Sequence, residues 1–207
     1  MRPLPRLHAI TDANVLGLED LGVRAAAIAA GGPSVALHVR NHSATARELV
    51  TTTRRFISLA QPPEAAVLVN GHPEIARACG AQGVQLRQTD LTPADARRIL
   101  VSGWIGCSVH STEEAETAAR NGADFLLLGN VYSTSSHPGQ PGKGLDLIAR
   151  CSTLGVPVIA VGGITGVRAG EVRDAGGYGV AAISALWYAA DPAAATLELL
   201  EPWILDA

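Results

Sequence analysis

The sequence predicts an α/β protein that folds as a single (β/α)8 TIM barrel over residues 1–207. Eight short apolar segments rich in β-branched residues alternate with eight alanine-rich segments of helical pattern along the chain. Several apolar segments show no polar alternation, which is typical of strands covered on both faces in a parallel sheet. No linker divides the 207 residues, and this length suits one domain.

An open, doubly wound sheet is the other arrangement that alternating strands and helices can form. In open sheets that bind dinucleotides, the first strand is followed by GxGxxG, whose glycines bring the backbone close to the pyrophosphate. Here the first strand is followed by the segment Thr11–Asn14, which has no glycine. The sequence therefore favours the closed barrel.

The predicted strands are short and recur along the whole chain. Val158–Val161 shows their character best, because all four of its residues are apolar. The strands are predicted at Leu7–Thr11, Val35–Val39, Ala65–Val69, Gly83–Leu86, Trp104–Ser108, Phe125–Gly129, Val158–Val161 and Gly179–Ser184.

Capping residues support the helices between these strands. Ser111 and Glu114 have the spacing of a capping box, in which each side chain satisfies a backbone amide. Thr92 precedes Pro93, which suits the first helical position because no amide hydrogen is needed there. The helices are predicted at Leu18–Ala30, Ala44–Ala60, Glu74–Cys79, Pro93–Leu100, Thr112–Arg120, Leu145–Cys151, Val167–Asp174 and Pro192–Leu200.

Charge and composition narrow the class of partner. The formal net charge is −3 and aromatic residues make up 4%, so no nucleic-acid partner is expected. Residues 1–11 contain no long apolar stretch, so neither a membrane span nor a signal peptide is expected. The three cysteines form no CxxC pair, which favours reduced thiols and a cytoplasmic location.

Two turns near the end of the chain predict a phosphate-binding site. Loops after neighbouring barrel strands lie side by side at the carboxyl ends of the strands, where active sites form. Gly162 and Gly163 follow the seventh strand and let backbone amides approach an anion, although a simple tight turn is the alternative. Ile183 and Ser184 end the eighth strand, and a helix that begins near Ser184 adds its dipole. These four residues are predicted to bind phosphate.

Histidines at strand ends are candidates of unequal strength. His8 lies within the first strand, where a hydrogen-bonded core histidine is expected. His38 and Arg40 leave the second strand at its active end and could bind a carboxylate or phosphate, with a structural ion pair as the alternative for Arg40. The alternation of the fifth strand favours Ser108 turning inward and His110 turning towards a helix.

Four motifs occur in order along nearly the whole chain. They are Leu7–Asp12, Val109–Ser111 followed by Glu113–Ala115, Gly122–Asp124 and Val161–Thr165. Together they resemble the thiamine-phosphate synthase/TenI family, which implies a TIM barrel that binds a thiazole phosphate in thiamine biosynthesis. The resemblance implies one of two chemistries. A synthase joins an aminopyrimidine diphosphate to thiazole phosphate and expels pyrophosphate, whereas a TenI-like thiazole tautomerase aromatises the thiazole by proton transfer.

The synthase branch implies Mg²⁺, carboxylate ligands and fixed cations, because a departing pyrophosphate must be stabilised. Arg40 and Asp90 stand at family positions in this chain. The synthase's Asn-Asp-Arg becomes Asn70–His72, which lacks the aspartate, and two lysine positions hold His42 and His137. A Mg²⁺-dependent synthase is therefore the alternative, and the preferred hypothesis has no cofactor.

The preferred hypothesis is a TenI-like tautomerase, because Asn70-Gly71 and Ser108–Ser111 resemble that branch. The branch's catalytic histidine corresponds here to Asn130, which can orient a ring by hydrogen bonding but cannot take up a proton. His137, in the Ser133–Gly144 segment predicted as a lid, is the predicted base, with a solvated loop histidine as the alternative. The substrate-binding residues are predicted as Arg40, Asn70, Ser108, Thr134 and Ser136.

A third hypothesis is a non-catalytic regulatory barrel that binds a phosphate ligand. All three hypotheses predict a small-molecule phosphate as the partner. A homodimer is possible, but the sequence identifies no interface.

Overall fold

A computed structural model describes residues 3–60, 64–134, 139 and 141–204, and within them eight parallel strands close into a barrel in chain order. Closure is direct, since Leu7 of the first strand pairs with Val35 of the second and with Val180 of the last. This confirms the predicted (β/α)8 TIM barrel. Residues 1, 2 and 205–207 lie outside the described part, so the domain limits of 1–207 stay a prediction. The strands are β1 Leu7–Ile10, β2 Val35–Val39, β3 Ala66–Asn70, β4 Gly83–Leu86, β5 Trp104–Val109, β6 Phe125–Gly129, β7 Val158–Val161 and β8 Gly179–Ala182.

Ten α-helices, two more than the sequence predicts, and a short 3-10 helix at Gly32–Ser34 are found in the described residues. The additions are single turns, which are too short for a helical period to show in the sequence. The predicted eighth strand was wrong at its end, because Ser184 begins a helix instead of closing the strand. The helices are α1 Ala13–Leu16, α2 Leu21–Ala29, α3 Ala46–Ala60, α4 Pro73–Cys79, α5 Pro93–Ile99, α6 Thr112–Arg120, α7 Leu145–Ser152, α8 Gly166–Asp174, α9 Ser184–Trp187 and α10 Pro192–Ile204.

The caps that the sequence predicts are formed, one of them with a different partner. Thr92 accepts a hydrogen bond from the amide of Asp95 at the start of α5. Ser111 accepts from the amide of Glu114, as expected for the start of α6. The Glu114 carboxylate accepts from the amide of His110 at 2.7 Å, one residue before the cap. This capping box therefore also fixes the end of β5, which carries side chains that line the cavity described below.

Buried residues form two layers, one inside the barrel and one between its strands and the helices. The inner layer contains large rings, Trp104 and Phe125, together with aliphatic side chains. Three polar side chains, His8, His38 and Gln85, are also buried in the strands. In the described residues, none of the helices has the length and apolar character needed to cross a bilayer.

Candidate active site

A cavity of about 670 Å³ opens at the carboxyl ends of the strands, where parallel barrels place their active sites. Nine of the eleven predicted site residues line it, and the other two, Ser136 and His137, lie outside the described residues. The nine are Arg40, Asn70, Ser108, Asn130, Thr134, Gly162, Gly163, Ile183 and Ser184.

The turn after β7 can be built only with glycines. Gly162 and Gly163 have φ angles of 102° and 67°, which side chains rarely tolerate. A Cβ on Gly162 would lie 2.9 Å from the Cα of Asn130, and one on Gly163 would lie 2.7 Å from the carbonyl oxygen of Ser133. The backbone of this turn therefore lies bare at the cavity wall.

The turn after β8 lies beside it, because β7 and β8 are paired, with Val161 opposite Ala181. Ile183 precedes the first residue of α9, so its loop and the helix start both face the cavity. Within the described residues, the amides of Gly163, Ile183 and Ser184 donate to no loop carbonyl or side chain. Backbone amides that adjacent turns leave available at a cavity wall are suited to binding an anion.

Arg40 supplies a cation to the cavity from the end of β2. Its amide donates to the Thr11 hydroxyl at 2.9 Å, and that hydroxyl lies within hydrogen-bond distance of the Arg40 carbonyl, which fixes the backbone. Burial lowers the pKa of the guanidinium from its ordinary value, although the group remains charged at neutral pH. In the described part of the chain Arg40 forms no ion pair within 4 Å, although the charge of Asp12 acts on it, so its ligand-binding role stays a prediction.

A second arginine, which the sequence analysis did not assign, lies at the end of β4. Arg87 donates to both carboxylate oxygens of Asp90, and its Nη1 lies 3.2 Å from His42 Nδ1. Although burial acts in the opposite direction, hydrogen bonds from Arg87 hold the pKa of Asp90 below its usual value. Arg40 and Arg87 therefore both line the cavity, and the charge of Arg87 is partly offset by Asp90. The sequence signal was the i, i+3 spacing of Arg87 and Asp90.

Side chains of β3 and β5 form the polar floor of the cavity. The side-chain carboxamide oxygen of Asn70 lies 3.1 Å from His38 Nδ1. The Ser108 hydroxyl accepts from Gln85 Nε2 at 3.0 Å. His38 is fully buried and does not line the cavity, so a direct ligand-binding role for it was wrong. His110 lines the cavity together with Ser108, so the prediction that His110 turns towards a helix was wrong. Side chains two residues apart on a strand point to the same side.

Asn130 lies against the glycine turn and is largely enclosed. Its side chain is 6% exposed, and its Nδ2 donates to the carbonyl of Tyr132 at 3.2 Å. Its own carbonyl accepts from the amide of Lys143, which ties together the two ends of the predicted lid segment. The Asn130 side chain therefore stabilises the loop at Tyr132, and its carboxamide oxygen is left for a ligand.

Metal-binding capacity is low in the residues that the structure describes. They contain no group of three His, Cys, Asp or Glu side chains that could hold an ion. Two carboxylates lie at or beside the cavity: Asp12 lines it and accepts from the amide of Val15, whereas Asp90 has both of its oxygens bound by Arg87. Gly71, beside Asp90, has no side chain that could bind a metal ion.

Comparison with known proteins agrees with this geometry. A family model described as thiamine monophosphate synthase matches residues 7–186. Thiamine-phosphate synthase of Salinispora tropica is 38% identical over 207 residues, covering 97% of this chain and 98% of that protein. The corresponding protein of Marinobacter nauticus is 37% identical over 185 residues, covering 88% and 83%. The solved structure of a thiamine phosphate pyrophosphorylase from Pyrococcus furiosus superposes with a TM-score of 0.80, at 32% identity, over 95% of this chain and 94% of that one.

Proposed function

Because the chain belongs to the thiamine monophosphate synthase family, we propose that it joins an aminopyrimidine diphosphate to a thiazole phosphate and releases pyrophosphate. One observation carries this proposal: a single cavity is lined by bare backbone amides in one part and by arginine side chains in another. The bare amides lie after β7 and β8, whereas Arg87 follows β4, which is three strands from β7 and four from β8 around the ring. Two such parts suit two phosphorylated substrates held face to face, while a reaction on one monophosphate needs only one.

The chemistry suits a site of fixed charges. As the bond to the diphosphate breaks, negative charge accumulates on the departing pyrophosphate, and cations held in place stabilise it. Arg40 and Arg87 supply that charge, and the partial burial of Arg40 strengthens its attraction for an anion. The amides of Gly163, Ile183 and Ser184 hold the monophosphate of the second substrate. This step requires no proton transfer, so the uncharged Asn130 is no obstacle.

Magnesium, which the family resemblance implies, does not fit the donor set of the described residues. The carboxylate oxygens of Asp90 are already paired with Arg87, and residue 71 is a glycine. One carboxylate engaged by an arginine and one that caps a helix make a poor ligand set for a hard cation. The proposal therefore assigns the stabilising charge to the two arginines.

A tautomerase is the second candidate, favoured by the placement of His110. Its Nδ1 lies 2.6 Å from the carbonyl of Gly129, so Nδ1 carries the proton and Nε2 keeps a lone pair. The ring lines the cavity, where Nε2 could act as the base that Asn130 cannot be. The predicted catalytic roles of His137 and Asn130 stay predictions, as does the homodimer.

A pyrophosphate-release assay with both substrates distinguishes these functions. We expect pyrophosphate and thiamine phosphate to appear together, and neither substrate alone to react. Arg40→Gln should lower kcat roughly 100-fold, since it removes a fixed cation. Arg54→Gln, on the exposed face of α3, is the matched control and should match the wild type. Solvent deuterium entering the thiazole without pyrophosphate release would favour the tautomerase, and binding without turnover would favour the regulatory barrel.

A further inference from the structure

Three polar side chains form a continuous line from the barrel interior to the cavity. His8 Nε2 lies 3.1 Å from the carbonyl oxygen of Pro5, and His8 Nδ1 lies 2.8 Å from His38 Nε2. His38 Nδ1 in turn lies 3.1 Å from the Asn70 carboxamide, which lines the cavity. Both imidazoles are fully buried, so the line is sealed from water up to Asn70.

The first link fixes the direction of the others. A carbonyl oxygen only accepts, so the proton of His8 sits on Nε2 and is donated to Pro5. Burial lowers the pKa of both rings, that of His38 to about 4, so each ring carries one proton at pH 7. The unprotonated Nδ1 of His8 must then accept from Nε2 of His38. Consequently, Nδ1 of His38 has a lone pair and no proton.

This leaves the Asn70 carboxamide as the member that must donate. An oxygen at 3.1 Å from an unprotonated nitrogen places two acceptors against each other, whereas a 180° turn of the carboxamide brings an N–H there. We infer that His8 and His38 are positioning residues that hold the amino end of Asn70 inward, so that its carbonyl oxygen faces the cavity.

If the hydrogen bonds along this line ran in the opposite direction, one buried group would be left unsatisfied. If His38 donated from Nδ1 to the oxygen of Asn70, then His8 would donate from Nδ1 to His38. The lone pair of His8 Nε2 would then face the Pro5 carbonyl inside the barrel, where water cannot compensate. Only the first arrangement pairs a donor with an acceptor at all three contacts.

The consequence is selection of ligand chemistry. A carbonyl oxygen at this point of the wall accepts from an amino or hydroxyl group and repels a ligand carbonyl or an unprotonated ring nitrogen. Sites of this kind reject the wrong partner strongly, because a mismatched polar group stays unpaired. The orientation of Asn70 does not depend on which reaction the cavity catalyses.

Nuclear magnetic resonance of the wild-type protein, labelled with ¹⁵N, tests the orientation without any ligand. At pH 7 we expect both His8 and His38 to be neutral with the proton on Nε2. We also expect a coupling across the hydrogen bond between Asn70 Nδ2 and His38 Nδ1. A proton on Nδ1 of His38 would overturn the inference.

Two variants test whether His8 sets the direction. His8→Asn keeps an acceptor at the position of Nδ1, so the proton of His38 should stay on Nε2. His8→Phe removes that acceptor at similar volume, so the proton should move to Nδ1 and Asn70 should turn over. The inference fails if the His38 proton stays on Nε2 in folded His8→Phe. Should that variant not fold, the wild-type spectrum still decides.

A ligand experiment tests the selectivity, and this arm alone rests on the proposed aminopyrimidine substrate. The probes are a 4-aminopyrimidine and the matching 4-pyrimidinone, which presents a carbonyl where the amine stood. We expect the wild type to prefer the amine and the preference to fall roughly tenfold in His8→Phe but not in His8→Asn. An equal preference in all three proteins overturns the selectivity. If neither probe binds while the spectra agree, the proposed function has failed and the orientation stands.

Discussion

Asp90 is held by Arg87 through a pair of hydrogen bonds: Nη2 donates to Oδ1 at 2.8 Å and Nε donates to Oδ2 at 3.2 Å. The carboxylate is 10% exposed and the guanidinium is 54% exposed, so the arginine covers the acid on its solvent side. A Cβ on Gly71 would lie 3.4 Å from Oδ2 of Asp90. A carboxylate is therefore absent at this neighbouring position, from which it could complete a pair of acidic ligands with Asp90.

We expect the wild-type protein to show no saturable heat of binding when Mg²⁺ alone is titrated in by calorimetry. Gly71→Asp supplies a second carboxylate beside Asp90 and should bind Mg²⁺ roughly tenfold or more tightly than Gly71→Asn. Asparagine is the matched control, because residue 71 has a φ of 78° and both substitutions bear the same strain, about 1 kcal/mol. Saturable binding by the wild type would contradict the assignment of this charge to arginines.

Gly163→Ala tests the predicted phosphate-binding turn. The added Cβ would approach the carbonyl oxygen of Ser133 to 2.7 Å, so the turn and its amides must shift. We expect the affinity for thiazole phosphate, measured by calorimetry, to fall roughly tenfold or more. Gly122→Ala is the control, since its φ of 82° gives the same strain while its Cβ has no atom within 4 Å. Equal affinities in the two variants would exclude the glycine turn as the phosphate site.

The sequence could predict those parts of the site that belong to the backbone. Apolar segments located all eight strands, and strand ends located residues such as Asn70 and Ser108, because order around a closed barrel fixes which ends meet. The pairing of His8 with His38 could not be predicted. It depends on where two side chains point across neighbouring strands 30 residues apart, and periodicity carries no such information.

Loops and single-turn helices were harder to predict from the sequence for the same reason. Helix α9 has only four residues, so no period reveals it, and its first residue was assigned to the strand before it. The cationic role of Arg87 was missed because local spacing shows the partner of Arg87 but does not show that the pair faces the cavity. The burial of His8 was predicted correctly from its place inside an apolar strand.

Asp124 belongs to a family motif, yet its contacts are structural. Its carboxylate accepts from the amide of Ile105 at 2.7 Å and from Arg97, which also donates to the carbonyl of Gly103. We expect Asp124→Asn to lower the free energy of unfolding by about 1–2 kcal/mol in urea, with thiazole phosphate affinity unchanged. Asp174→Asn, an exposed partner of Arg173, should change stability by less than about 0.5 kcal/mol. Lost ligand affinity in a stable Asp124→Asn protein would give this residue a functional role.

The buried histidines make stability depend on pH. Burial lowers the pKa of His38 to about 4, and the donor assigned to Asn70 favours the neutral ring as well, whereas an unfolded histidine titrates near 6.5. Between these values the unfolded chain binds more protons than the folded one. The free energy of unfolding should therefore fall as the pH falls from about 6.5 to about 4, at up to about 1.4 kcal/mol per pH unit for this residue.

Urea unfolding at several pH values between 7 and 4.5 measures this slope. His38→Gln removes the titrating group, so its stability should fall less steeply with acid than that of the wild type, even though it starts lower at pH 7. His72→Gln, at the surface beside Glu74, is the control for loss of a histidine outside the barrel interior. An unchanged slope in His38→Gln would mean that the pKa of His38 in the folded barrel is not lowered from its unfolded value.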